Sequence, residues 1–124
     1  MRLGFLIREL AALDQNAMVH FRACGQISGV PDGGNPGEFR SYRGYYDRLA
    51  LGSGPRAKTV GELLGAARDA VGAPFDGYKG GEFTMDENTA LYAANWGESY
   101  GDQIVGVEKR GRAVLLLVAH AEEW

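Results

Sequence analysis

Apolar residues recur at helical spacing in two places along the chain. Leu3, Leu6, Ile7, Leu10 and Leu13 fall on one side of a helix, which predicts an amphipathic helix over residues 3–13 with one buried stripe. Val60, Leu63, Leu64, Ala67 and Val71 form a second stripe. Its start is marked by Thr59-Val60-Gly61-Glu62, a capping box: the threonine hydroxyl takes one free amide of the first turn and the glutamate reaches back for another. Gly72 ends this helix and Pro74 prevents its return. Both helices open on the pattern apolar-Gly-x-apolar-apolar, as Leu3-Gly4-x-Leu6-Ile7 and Val60-Gly61-x-Leu63-Leu64. An internal half-repeat and two ordinary helix starts account for it equally well.

Elsewhere the period is two. Over residues 17–23, Val19 and Phe21 alternate with His20 and Arg22, as in a half-buried strand, so His20 is expected to face solvent rather than a ligand. Residues 25–37 hold five glycines and two prolines and read as a loop. In the stretch 39–51, strand alternation places Tyr42, Gly44 and Tyr46 on one face and Arg43 and Tyr45 on the other. Periodicity leaves open whether residues 47–51 continue that strand or make a helical turn. Residues 52–58 read as a short basic linker. Residues 82–85 and 90–96 are expected as strands flanking the turn Asp86-Glu87-Asn88-Thr89, with Ala90, Tyr92, Ala94 and Trp96 sharing a face. Residues 103–108 and 113–120 predict a hairpin around Lys109-Arg110-Gly111-Arg112. The run 113–119 is apolar throughout, as expected of a central strand covered on both faces, with His120 structural at its end. The tail 121–124 is expected to be exposed or frayed. Together these elements predict one α+β domain over residues 1–124, with two helices packed on one face of a mostly antiparallel five- or six-stranded sheet.

Composition narrows the function classes. The chain of 124 residues carries a net charge of −3, which argues against duplex nucleic acid as a partner. The charge is uneven: between Arg40 and Lys58 stand Arg40, Arg43, Arg48, Arg56 and Lys58 against the single acid Asp47. A basic patch on an acidic protein suits a small anion. Cys24 is the only cysteine, which excludes an intrachain disulfide and a cysteine zinc site and makes a reducing cytoplasm the expected compartment. His20 and His120 follow no metal-ligand spacing. No run approaches the ~20 apolar residues of a membrane span, and Arg8 and Glu9 interrupt the apolar start, unlike a signal peptide. No cofactor or metal is expected.

The nineteen glycines are about twice the usual share, and several lie in two unusual stretches. The first holds Arg40, Ser41, Tyr42, Arg43, Tyr45 and Tyr46; the second holds Tyr78, Lys79, Gly80, Gly81 and Thr84. Arginine offers a planar fork for phosphate or carboxylate, and lysine a mobile charge. Tyrosine rings stack on bases. Gly80 and Gly81 would let backbone amides approach an anion. Asn95 and Trp96 are expected to complete the wall. These parts suit a nucleotide-like anion, although Tyr78-Lys79-Gly80-Gly81 lacks the spacing of a phosphate-binding Walker loop. The alternative is that the tyrosines are half-buried strand residues and the arginines pair with Asp47, Asp76 or Glu82. Catalysis is less well provided for. Asp86, Glu87 and Glu82 are the available acids, Ser41 and Thr84 have no partnering histidine, and Cys24 has no thiolate-stabilising pattern.

Ser41-Tyr42-Arg43-Gly44-Tyr45-Tyr46-x-x-Leu49-Ala50-Leu51 and Phe75-x-Gly77-Tyr78-Lys79-Gly80-Gly81-x-Phe83-Thr84-Met85 resemble a group of small, uncharacterised phage and prophage proteins. The first helix and its strand, the helix after Thr59, and Ala94-Asn95-Trp96-Gly97 extend that resemblance over most of the chain. It implies a phage accessory protein acting in the bacterial cytoplasm, where such proteins often counter host defence. The leading expectation is a non-enzymatic sponge for a nucleotide-derived signal. The alternatives are a protein–protein inhibitor of a host defence enzyme and a small hydrolase. A homo-oligomer would deepen the pocket of so small a domain.

Overall fold

The computed structural model describes residues 1–77 and 79–120, and of Tyr46 the backbone alone. Two helices, α1 (Leu3–Ala11) and α2 (Val60–Ala70), accompany nine strands. These are β1 (Met18–Ala23), β2 (Asn35–Tyr42), β3 (Tyr45–Gly54), β4 (Lys58–Thr59), β5 (Pro74–Asp76), β6 (Glu82–Thr84), β7 (Leu91–Ala93), β8 (Asp102–Arg110) and β9 (Ala113–His120). Seven strands form one sheet in the order β2-β3-β7-β8-β9-β1-β4, and β5 with β6 forms a separate hairpin. The α+β class holds, but the expected five or six strands become seven plus two. The surplus comes from places where the sequence shows no period. The stretch 39–51 is not one strand but a hairpin turning at Arg43-Gly44, and β3 runs on through residues read as linker. Residues 82–84 pair with β5 rather than across the turn with β7.

Two pairings are parallel, β1 with β9 and β3 with β7; the remaining four pairings in the large sheet are antiparallel. The edge also bends back on itself. Phe21 donates its amide to Gly34 O, and Gly33 donates to Phe21 O, both at 2.8 Å, so the stretch entering β2 meets β1. Inward-facing Val19, Phe21, Leu49, Leu51, Leu91, Ile104, Val114, Leu116 and Val118 share one core with Leu3, Leu6 and Leu10 of α1 and Val60, Leu63 and Ala67 of α2. Burying each large apolar side chain there contributes about 1.5–3 kcal/mol. On β9 only alternate residues are buried, so this strand is covered on one face and half open on the other, not covered on both as its composition suggested.

The shared helix-start pattern has a shared structural use. In α1, Leu3 N donates to Thr89 O and Gly4 N to Glu87 O; in α2, Val60 N donates to Ala17 O and Gly61 N to Gln15 O. These bonds satisfy amides that a helix start leaves free. The two receiving turns match as well. Asp14 Oδ1 accepts from Asn16 N at 2.9 Å, and Asp86 Oδ1 accepts from Asn88 N at 2.8 Å. A side chain at position 4 would press on Glu87 Cβ at 2.9 Å, which accounts for glycine at that step. Each helix thus docks on the turn that precedes the other half's strand. The parallel pairs β1–β9 and β7–β3 are exchanged between halves in the same way. The Thr59 capping box is formed as expected, with Thr59 Oγ1 accepting from Glu62 N at 3.1 Å.

Candidate functional site

On the face of the sheet away from the helices, Arg40, Ala50, Tyr92 and Gln103 stand opposite one another across β2, β3, β7 and β8. The segment from Ala94 to Gly101 arches over this face. Ala94 N donates to Leu51 O at 3.1 Å, Asn95 N to Gly29 O at 2.8 Å, and Arg43 N closes the far end on Gly97 O at 2.7 Å. Asn95 Oδ1 accepts from both the amide and the hydroxyl of Ser53, at 2.6 and 2.9 Å. Gly97 sits at φ 71°, and a Cβ there would lie 2.5 Å from Ser41 O, so the arch rests directly on β2 backbone.

At the crown of the arch, Trp96 holds φ 59°, a left-handed conformation unusual for a bulky residue, and its side chain is 70% exposed. A strained residue of this kind costs about 1–3 kcal/mol and persists only where the surrounding structure holds it. The Arg40 guanidinium lies over the indole, 4.8 Å from its centre.

Arg40 and Trp96 form one wall of a cleft of about 510 Å³ between the open ends of β2 and β3. Its other walls carry Arg56 and Lys58 with the single acid Glu38, together with Ser53, Asn95, Pro36, Pro55 and Gly37, Gly52 and Gly54. The cations are held rather than loose. Lys58 Nζ donates to Gly37 O at 2.6 Å, Arg56 pairs with Glu62 at 2.9 Å, and Arg40 stands 4.0 Å from Glu38. The Arg56 partnership holds the Glu62 carboxyl below its ordinary range, with the Thr59 amide assisting. A smaller hollow of about 300 Å³ backs onto the same wall, lined by Phe39, Ser41, Arg43, Phe75 and Asp76 together with Arg40 and Trp96.

The structure therefore brings together Arg40, Ser41, Arg43, Asn95 and Trp96 of the sequence-derived site. Arg43 pairs with Glu98 at 3.0 Å, not with Asp47, Asp76 or Glu82. Tyr42 and Tyr45 lie at the hairpin end of β2–β3 and line neither space. Tyr42 is buried and stacked on Tyr92, with centroids 4.1 Å apart; its hydroxyl accepts the Gly101 amide at 2.9 Å, and burial keeps its phenol above the usual range. Tyr45 stacks more loosely on Tyr42, and Arg48 lies 4.3 Å over the Tyr45 ring while donating to the Tyr92 hydroxyl at 2.8 Å. Lys79, Gly80, Gly81 and Thr84 are exposed on the β5–β6 hairpin and line neither space. The Gly80 amide already donates to Gly77 O at 3.0 Å. Tyr78, the Tyr46 side chain and the tail 121–124 lie outside the described residues.

The motifs missed most of the cleft lining, including Arg56, Lys58, Ser53 and Glu38. The basic charge of residues 40–58 was the available signal, but a linker reading hid where it points. Of the acids considered for catalysis, Asp86 accepts the Asn88 amide in its turn. Among the described residues no group of three or more His, Cys, Asp or Glu side chains is arranged to hold a metal ion. Among the described residues no helix is long and apolar enough to cross a membrane. His120 Nδ1 stands 3.1 Å from buried Asp102, whose other oxygen accepts the amides of Ser28 and Gly29 at 2.7 and 2.6 Å, a structural tether of the 25–34 loop. Comparison with protein-family models, curated proteins and solved structures returned no match.

Proposed function

We propose that this protein is a non-enzymatic binder of a nucleotide-derived anion, with the Arg40–Trp96 cleft as its site. One observation carries this reading: a guanidinium stacked on an exposed, left-handed tryptophan at the mouth of a cleft that also holds Arg56 and Lys58. An indole face stacks on any base, and guanidinium and ammonium groups neutralise phosphate. The cleft volume lies within the range of small-molecule sites. The phage counter-defence role, as a sponge for an immune signal, rests on the family resemblance of the two motifs.

A second reading has its own support. Trp96, Tyr45 and Tyr100 are all at least half exposed, and exposed aromatics beside arginine are what protein–protein hot spots use. Native mass spectrometry of protein purified from phage-infected host cells, followed by denaturation and analysis of released small molecules, separates the two. A co-purifying nucleotide returned chemically unchanged supports the sponge. A nucleotide-free protein in stoichiometric complex with a host enzyme supports the inhibitor.

A further inference from the structure

Resting on that reading, we infer that the ligand is a guanine nucleotide lying astride the Arg40–Trp96 wall, with its phosphates in the larger cleft and its base in the smaller hollow. The two spaces differ in chemistry. The larger one has Arg56, Lys58 and glycine backbone, the equipment for phosphate. The smaller one has the two rings of Phe39 and Phe75, one carboxylate and one hydroxyl, the equipment for a flat heterocycle with polar edges.

Two polar groups in the hollow point to the identity of the base. The Ser41 hydroxyl is buried and has no hydrogen-bond partner among the described residues, although Ser41 itself is only 9% exposed. An orphaned buried hydroxyl is costly, and a ligand edge would satisfy it. Asp76 is exposed at the rim of the hollow and, ionised, can only accept hydrogen bonds. Guanine carries two adjacent donors, its N1–H and its 2-amino group, which a carboxylate can accept together. Adenine sets the lone pair of N1 beside its single amino group, so the same carboxylate would face an acceptor.

Isothermal titration of the full chain with GTP, ATP and inorganic tripolyphosphate tests this. The expected order is GTP tightest, by about tenfold or more over ATP, with tripolyphosphate weaker than GTP but measurable. Asp76→Asn, which exchanges one acceptor for a donor at an exposed position, should remove the preference for GTP over ATP. Equal affinity for all three overturns the base hollow and leaves the anion cleft standing. A preference for ATP, or a GTP preference that Asp76→Asn does not alter, also overturns the assignment. If none of the three binds, the anion-binding reading fails, and the guanine assignment with it.

Discussion

The Arg40 guanidinium lies 4.8 Å above the Trp96 ring, on a residue held at φ 59°. The pair stands at the boundary between the cationic cleft and the Phe39–Phe75 hollow, so one contact shapes both. The strained backbone that holds the indole in solvent is held in turn by the arch's own bonds, Asn95 N to Gly29 O and Arg43 N to Gly97 O.

Trp96→Asn separates these roles. Asparagine tolerates the left-handed region, and Trp96 is 70% exposed, so the unfolding free energy should change by less than about 1 kcal/mol. Nucleotide affinity should fall at least about fivefold, because base stacking on an aromatic ring is worth about 1–3 kcal/mol. Urea denaturation and calorimetric titration on the same variant check both halves.

Asp102→Ala removes the acceptor shared by the Ser28 and Gly29 amides and by His120. Asp102 is 1% exposed, so the two amides would be left in poorly solvated surroundings. The expected loss is about 2–4 kcal/mol, read as a lower urea midpoint. Increased hydrogen exchange over the 25–34 loop should accompany it.

Glu62 links helix α2 to the cleft by holding Arg56. Its carboxyl is held below the ordinary value by Arg56 and by the Thr59 amide, so the stability it contributes is present above the unfolded carboxylate pKa and is lost as pH falls through the lower folded value. Glu62→Gln keeps a side chain able to accept the Thr59 amide but removes the charge. The stability difference between wild type and this variant should therefore shrink on titration from neutral pH to below the carboxylate range. At neutral pH the variant should bind anions more tightly, because Arg56 no longer faces a carboxylate.

Tyr42→Phe tests whether the tyrosine stack belongs to the site. The stack on Tyr92 would persist, while Gly101 N would lose its acceptor, for a cost of about 1 kcal/mol. Nucleotide affinity should not change. A large loss of affinity with unchanged stability would return the tyrosines to the binding surface.

Much of the fold was legible where side chains obey one period. The stripes Leu3-Leu6-Leu10 and Val60-Leu63-Ala67, the Thr59–Glu62 box and the β8–β9 hairpin all lie where local pattern and tertiary burial agree. The Arg43-Gly44 turn was hidden because tyrosine and arginine suit either face of an exposed ribbon, and the register slips between Ser41 and Tyr42. Strand order was hidden because β1 meets β9 across most of the chain, a pairing that no local signal encodes. At the site, Arg40, Asn95 and Trp96 were legible as residue types. Their meeting with Arg56 and Lys58 depends on the arch from Ala94 to Gly101, and that depends on backbone bonds to Leu51, Gly29 and Arg43.

The most direct measurement is an NMR titration of the isotopically labelled protein with GTP, following backbone amides and the indole N–H of Trp96. Binding astride the Arg40–Trp96 wall predicts the largest shifts at the Trp96 indole and at the amides of Gly37, Ser53, Gly54 and Arg56, with accompanying shifts at Ser41, Arg43 and Asp76 beside the hollow and the amide of Tyr92 little changed. Shifts concentrated at Lys79, Gly80 and Gly81 or on the tyrosine stack, with the Trp96 indole unmoved, would contradict the assignment of the site.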